Sequence, residues 1–117
     1  MIDGGIDINK KDNFDETPLM SLVDQENLKE IIYLVERGAD INILSLFNET
    51  ALHRAIAIGD YDIVLYLIEN GAKINDFKDI SPLSQAITSG DINTINLLIE
   101  YGCNINEKNE NSSNNLI

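Results

Sequence analysis

A five-residue phrase returns along this chain at a nearly constant interval. Gly38-Ala39-Asp40-Ile41-Asn42 reappears as Gly71-Ala72-Lys73-Ile74-Asn75 and as Gly102-Cys103-Asn104-Ile105-Asn106, and an earlier copy, Gly5-Ile6-Asp7-Ile8-Asn9, opens the chain. The glycines are 33, 33 and 31 residues apart. A second landmark keeps the same step: Thr17-Pro18-Leu19-Met20, Thr50-Ala51-Leu52-His53 and Ser81-Pro82-Leu83-Ser84, spaced by 33 and 31. Two landmarks with one shared period mark an array of like units. Each unit is too thin to bury its apolar side alone and must stack on its neighbours.

Inside each unit the residues read as two short helices. Thr17, Thr50 and Ser81 are N-cap residues whose hydroxyls accept from unpaired N–H groups of the first turn. Pro18 and Pro82 stand next, where a missing N–H costs nothing. A helix of about two turns follows, closing near Gly59 and Gly90 at positions suited to a left-handed cap. A second helix starts near Leu28, Tyr61 and Ile92, runs through apolar stretches such as Ile63-Val64-Leu65-Tyr66-Leu67-Ile68, and stops at Gly38, Gly71 and Gly102. Eight steps separate Asn42 from Thr50, but only six separate Asn75 from Ser81. The two-residue deletion therefore falls in the connecting loop and spares both helices, as loops tolerate deletion and packed helices do not.

These residues resemble the ankyrin-repeat family. Thr50-Ala51-Leu52-His53-Arg54-Ala55 follows its T-P-L-H-x-A signature with Ala51 in place of proline, and Gly38-Ala39-Asp40-Ile41-Asn42 is similar to its G-A-D-V-N turn. Glu26 departs from the pattern, standing where the family has a glycine, and Met20 and Ser84 replace the signature histidine. The resemblance implies an all-α solenoid of stacked antiparallel helix pairs with β-hairpin-like finger loops. The expected organisation is a tail of a preceding partial repeat over 1–11, repeats over 12–44, 45–75 and 76–106, and a flexible tail or the start of a further repeat over 107–117. Polar replacements in the outer units, Glu30 in the first and Thr94 and Asn96 in the third, fit capping units and a self-contained domain. A segment of a longer array is the competing expectation, because residues 1–9 read as the end of a unit and Leu116 follows Asn106 as Leu52 follows Asn42.

Composition narrows the function. The 117 residues carry 20 acidic and 8 basic side chains, a net charge of −12. Nucleic-acid binding needs clustered Lys and Arg, and anionic membranes attract the same charges, so neither partner is expected. The start lacks the basic and apolar regions of a signal peptide, and no apolar run approaches the length of a membrane span, so an intracellular, cytoplasmic location is expected. The single cysteine, Cys103, excludes an internal disulfide framework. His53 is the lone histidine, and a structural role near the start of its helix is favoured over a general base, which needs a nucleophile and an orienting acid beside it. Asp12, Asp15 and Glu16, or Asp76 and Asp79, lack the spacing of a calcium loop. No cofactor, metal site, small-molecule substrate or catalytic constellation is expected, and the chain is read as a non-enzyme. The recurrent Asn9, Asn42, Asn75 and Asn106 read as turn residues bonding their own backbone.

The three phenylalanines, Phe14, Phe47 and Phe77, each precede an N-cap, and parallel fingers would align them as an aromatic stripe joined by Leu46 and Ile80. Acidic residues Asp12, Asp15, Glu16, Asp24, Glu49, Asp76 and Asp79 would rim it. Exposed aromatic patches rimmed by charge mark interaction surfaces. The family resemblance carries partner contact onto Asn13, Phe14, Glu16, Asp24 and Gln25 in the first unit, onto Leu46, Phe47, Glu49, Ala57 and Ile58 in the second, and onto Phe77, Lys78, Ile80, Thr88 and Ser89 in the third. A protein-binding module that is monomeric and docks a basic partner protein on its concave face is the expectation. A small stand-alone inhibitor, such as an immunity protein against a cationic toxin or nuclease, is the alternative.

Overall fold

Every helix begins where a short oxygen-bearing side chain reaches back to an unpaired N–H. The computed structural model describes residues 7–102, and its helices follow as pairs: α1 Pro18–Asp24 with α2 Leu28–Glu36, α3 Ala51–Ile58 with α4 Tyr61–Glu69, and α5 Pro82–Ser89 with α6 Ile92–Glu100. Thr17, Thr50 and Ser81 accept from the N–H groups of Met20, His53 and Ser84. Asn27, Asp60 and Asp91 do the same for the second helices. Gly59 and Gly90 close α3 and α5 at φ 88° and 74°, whereas Glu26 closes the first turn at φ 54° with a Cβ that this region disfavours. Among the described residues there is no β-strand.

The helices form two layers. In the first, α3 lies between α1 and α5; in the second, α4 backs α3 and touches α6, while α2 backs α1 and α6 backs α5. Leu19, Val23, Ile31, Leu52, Ile56, Ile63, Val64, Leu67 and Leu98 are at most 2% exposed. Burying each side chain of this size contributes about 1.5–3 kcal/mol, so the core is spread along the stack.

Burial at equivalent positions shows how far each pair depends on the next. Val23 and Ile56 are fully buried, but Ile87 is 58% exposed. Ile68 is 6% exposed and Ile99 44%. No hairpin follows α5 and α6 among the described residues, and these side chains face outward. Of the polar replacements in the outer units, Glu30 and Asn96 are exposed, and Thr94 is not. It is buried, and its hydroxyl donates to the Asp91 carboxylate at 2.8 Å. Apolar side chains remain on the surface beside it. No helix of the described residues is long and apolar enough to cross a membrane. The Gly5-Ile6 part of the opening copy, Cys103, the rest of its copy through Asn106, and the 107–117 tail lie outside the described residues.

The recurrent asparagines do something different from the expected local turn bonding. In the first two copies the aspartate two residues earlier makes the turn: Asp7 accepts from the Asn9 N–H and Asp40 from the Asn42 N–H, each at 2.9 Å. The asparagine side chain is thereby free to reach the following unit. Asn9 Oδ1 accepts from the Asp40 N–H at 2.8 Å. Asn42 Oδ1 accepts from the Lys73 N–H at 2.7 Å while its Nδ2 donates to the Gly71 carbonyl at 3.1 Å. Asn75 continues the series by donating to the Gly102 carbonyl at 3.3 Å. A ladder of side-chain amides therefore ties each helix pair to its successor. Replacing Asn42 by alanine removes two of these bonds, and we expect a loss of about 1–3 kcal/mol in urea unfolding. An unchanged midpoint would mean that water replaces the ladder without loss.

Candidate functional site

The loops ahead of the first helices form three fingers, and the first two share one design. In finger one the Asp12 N–H donates to the Glu16 carbonyl and the Asp15 N–H to the Asp12 carbonyl; in finger two the Ser45 N–H donates to Glu49 and the Asn48 N–H to Ser45. A polar side chain at the base holds each tip. Asp12 Oδ1 accepts from the N–H groups of Phe14 and Glu16 at 2.8 and 2.9 Å, and Ser45 Oγ accepts from the Phe47 N–H at 3.1 Å. Those bonds hold the Asp12 carboxyl below its ordinary pKa, the Glu16 amide being the largest cause. Asp15 and Asn48, two residues before their caps, take left-handed backbone at φ 59° and 61°. The Leu46 N–H then donates to the Phe14 carbonyl, linking the fingers. They are isolated turn bonds and not a strand ladder.

The third finger departs from this design. Its left-handed residue is Asp76 at φ 67°, five positions before the cap. Among the described residues it has no counterpart of the tip bonds. Counting back three positions from each N-cap gives Phe14, Phe47 and Lys78, so Phe77 stands one position outside the aromatic register even after the two-residue deletion is allowed for. The stripe expected of three rings is accordingly a pair. Phe14 and Phe47 stack with centroids 6.0 Å apart and remain 52% and 61% exposed. Phe77 turns inward, half-buried, with its ring edge-on to His53 at 4.8 Å and Lys73 5.0 Å from its centroid. Leu46 and Ile80 extend the pair as exposed apolar residues.

The acidic rim is partly drawn inward. Arg54, the one Lys or Arg of the three first helices, binds Glu16 directly, Asp24 at 2.7 Å and Glu49 at 3.7 Å, with its side chain only 13% exposed. One guanidinium thus anchors the ends of two fingers and the end of α1. Asn48 and Asp79 form a side-chain bond across fingers two and three. Sequence reasoning missed Arg54; the signal was a lone cation in a layer whose finger ends are acidic. Asn13, Gln25, Ala57, Lys78, Thr88 and Ser89 are exposed, Ile58 is 39% exposed, and Glu16 and Glu49 are half-buried. Among the described residues no three His, Cys, Asp or Glu side chains come together as a metal site.

His53 is 1% exposed and fully engaged. Its Nδ1 accepts from the Thr50 N–H at 3.1 Å and lies 2.9 Å from Thr50 Oγ1, completing a reciprocal cap on α3. The proton therefore sits on Nε2, which donates to the Ile80 carbonyl at 2.7 Å. The ring joins a helix start to the base of the third finger. Neither nitrogen is left to serve as a base. Desolvation pushes its pKa below the ordinary value, outweighing the opposing pull of the Ile80 carbonyl and Glu49.

A family model described as ankyrin repeats (3 copies) matches residues 1–78 and 48–109. No curated protein matches the chain significantly.

The His53 geometry sets a pH dependence. The folded state holds the ring neutral, while the unfolded chain takes up a proton at about pH 6.5. Its contribution to stability is thus complete above that value and is lost as pH falls through it. We expect stability to drop between pH 7.5 and 5.5, and His53→Ala to be weaker at pH 7.5 but flat over that interval. A parallel slope in the variant would assign the change to carboxylates instead.

Proposed function

This chain belongs to the ankyrin-repeat family, whose arrays are generally protein–protein interaction modules, and we propose that it docks a basic partner protein on its fingers and first helices. We take 12–44, 45–75 and 76–106 as its three units, acting as a monomer without chemistry of its own. The observation that carries the reading is the stacked, solvent-facing pair Phe14 and Phe47, continued by Leu46 and Ile80. Large apolar side chains held outward on turns that are themselves hydrogen-bonded form a prepared surface, and a prepared surface avoids the ordering cost of association.

Charge supports a basic partner. The chain carries −12 overall. The Arg54 cluster sets one guanidinium against three carboxylates, so it remains acidic beside the rings. Such a field raises encounter rates with cations and disfavours acidic competitors. Asn13, Phe14, Leu46, Phe47 and Ile80 would make the central contacts, with Asp24, Gln25, Ala57, Ile58, Thr88 and Ser89 extending them along the helix ends. Phe77 supports the third finger from within, Glu16 and Glu49 hold the fingers through Arg54, and Lys78 would select acidic spots on the partner. The partner is read as a protein, with no nucleic acid, membrane or small-molecule substrate, and the setting as cytoplasmic.

Binding to the partner captured from native extract tests this. Phe47→Ala should weaken binding by more than about 2 kcal/mol, since exposed aromatic anchors dominate interfaces. Its unfolding midpoint should barely move, because the ring is mostly in water. The association rate should fall markedly between low and high salt. A sharp loss of stability with binding intact, or a salt-indifferent on-rate, would defeat the reading.

A further inference from the structure

The short third finger leaves an opening beside the second. Two cavities flank it, and they differ in charge. One, of about 340 Å³, is bounded by Leu44, Phe77, Asp76 and Asp79 and also by Lys73 and Lys78, so its carboxylates are already matched by cations. The other, of about 380 Å³, is bounded by Phe47, Glu49, Asp79, Ile80 and Gln85 with His53 at its base, and no Lys or Arg lines it. The His53 ring adds no charge, because Nδ1 accepts from Thr50 and Nε2 donates to Ile80.

The walls of this second cleft fit one kind of side chain. Glu49 is the carboxylate that Arg54 holds least closely, at 3.7 Å. Asp79 is exposed on the opposite finger, with the Asn48 amide as its partner. The same cleft is lined by the Phe47 ring, 61% exposed, and Ile80, 57% exposed. A planar cation on an apolar stem has a counterpart for each: the stem for Ile80, the plane for Phe47, and the N–H groups for the carboxylates. An ammonium is a more strongly hydrated point charge and matches only the carboxylates.

We infer that the cleft between the second and third fingers receives an arginine side chain of the partner protein. This rests on the docking face described above and adds the residue that would enter it. The offset of Phe77 then has a consequence for recognition. With that ring turned inward to His53, no third ring continues the stack from Phe47, and the acidic slot lies beside Phe47 instead.

The probe is a blocked pentapeptide, acetyl-Gly-Gly-Arg-Gly-Gly-amide, titrated into the full chain labelled with nitrogen-15, beside lysine and citrulline versions. The arginine peptide should give saturable shifts centred on the amides of Asn48, Glu49, Ile80 and Gln85. The lysine peptide should bind more weakly, and the uncharged citrulline peptide should leave these amides unmoved. Asp79→Asn, at an exposed position, should weaken the arginine peptide about tenfold, the size of one lost charge-assisted bond. Glu49→Gln should do the same from the other wall. Equal shifts with citrulline, shifts scattered over the acidic surface, or an Asp79→Asn variant that binds as well as the parent would overturn the inference. Should the cleft stay silent while Phe47→Ala still abolishes partner binding, the arginine slot is wrong and the docking face stands. Should arginine enter while Phe47→Ala leaves the partner bound, the docking face is wrong and the slot stands.

Discussion

A two-helix hairpin has one apolar side and nothing of its own to cover it, and everything else in this molecule follows from that shortage. At some positions burial follows the next pair. Val23 and Ile56 are sealed by the next pair, and their equivalent Ile87 lies more than half in water. Stability in such a stack is a sum of nearest-neighbour interfaces. Those interfaces need register as well as contact. The Asn9, Asn42 and Asn75 amides supply it, each bonding backbone of the following unit. A slip of one residue would break these bonds together.

Polar side chains within the first-helix layer hold the finger loops in place. Arg54 collects carboxylates from two fingers and a helix end, and His53 spans a helix cap and the carbonyl of Ile80. Neither is arranged for chemistry: the imidazole has both nitrogens occupied and the guanidinium faces only carboxylates. Their effect is to hold loops that contain no strand ladder. Fingers one and two gain a second restraint from Asp12 and Ser45, which bind the N–H groups behind Phe14 and Phe47. The rings are thus exposed on a backbone that is fixed beneath them.

Much of this was legible in the chain itself. Helix starts at Leu28, Tyr61 and Ile92 follow from the cap residues Asn27, Asp60 and Asp91 and from apolar spacing, because capping and amphipathicity are local. The cost at Glu26 was visible too, since a glycine stands at the matching place in the other units. Less was legible for the face. Phe14, Phe47 and Phe77 look alike in sequence, but Phe77 stands four residues before its cap and the others three. That single step sends its ring to His53. Thr94 read as a polar replacement in an outer unit like Asn96, yet its hydroxyl bonds Asp91 and it alone of the two is buried.

The amino-acid order alone determined the repeat, its period, the pairing of helices and the composition of the finger tips, because each rests on interactions between residues a few positions apart. The tertiary structure decided which groups meet across 29 to 38 residues: Asn42 with Gly71, and Arg54 with Glu16 and Asp24. It also decided that two rings stack while the third turns inward against His53, and that the short finger leaves an acidic slot beside Phe47. Such meetings depend on the relative placement of stacked units, a geometric quantity that no single unit contains.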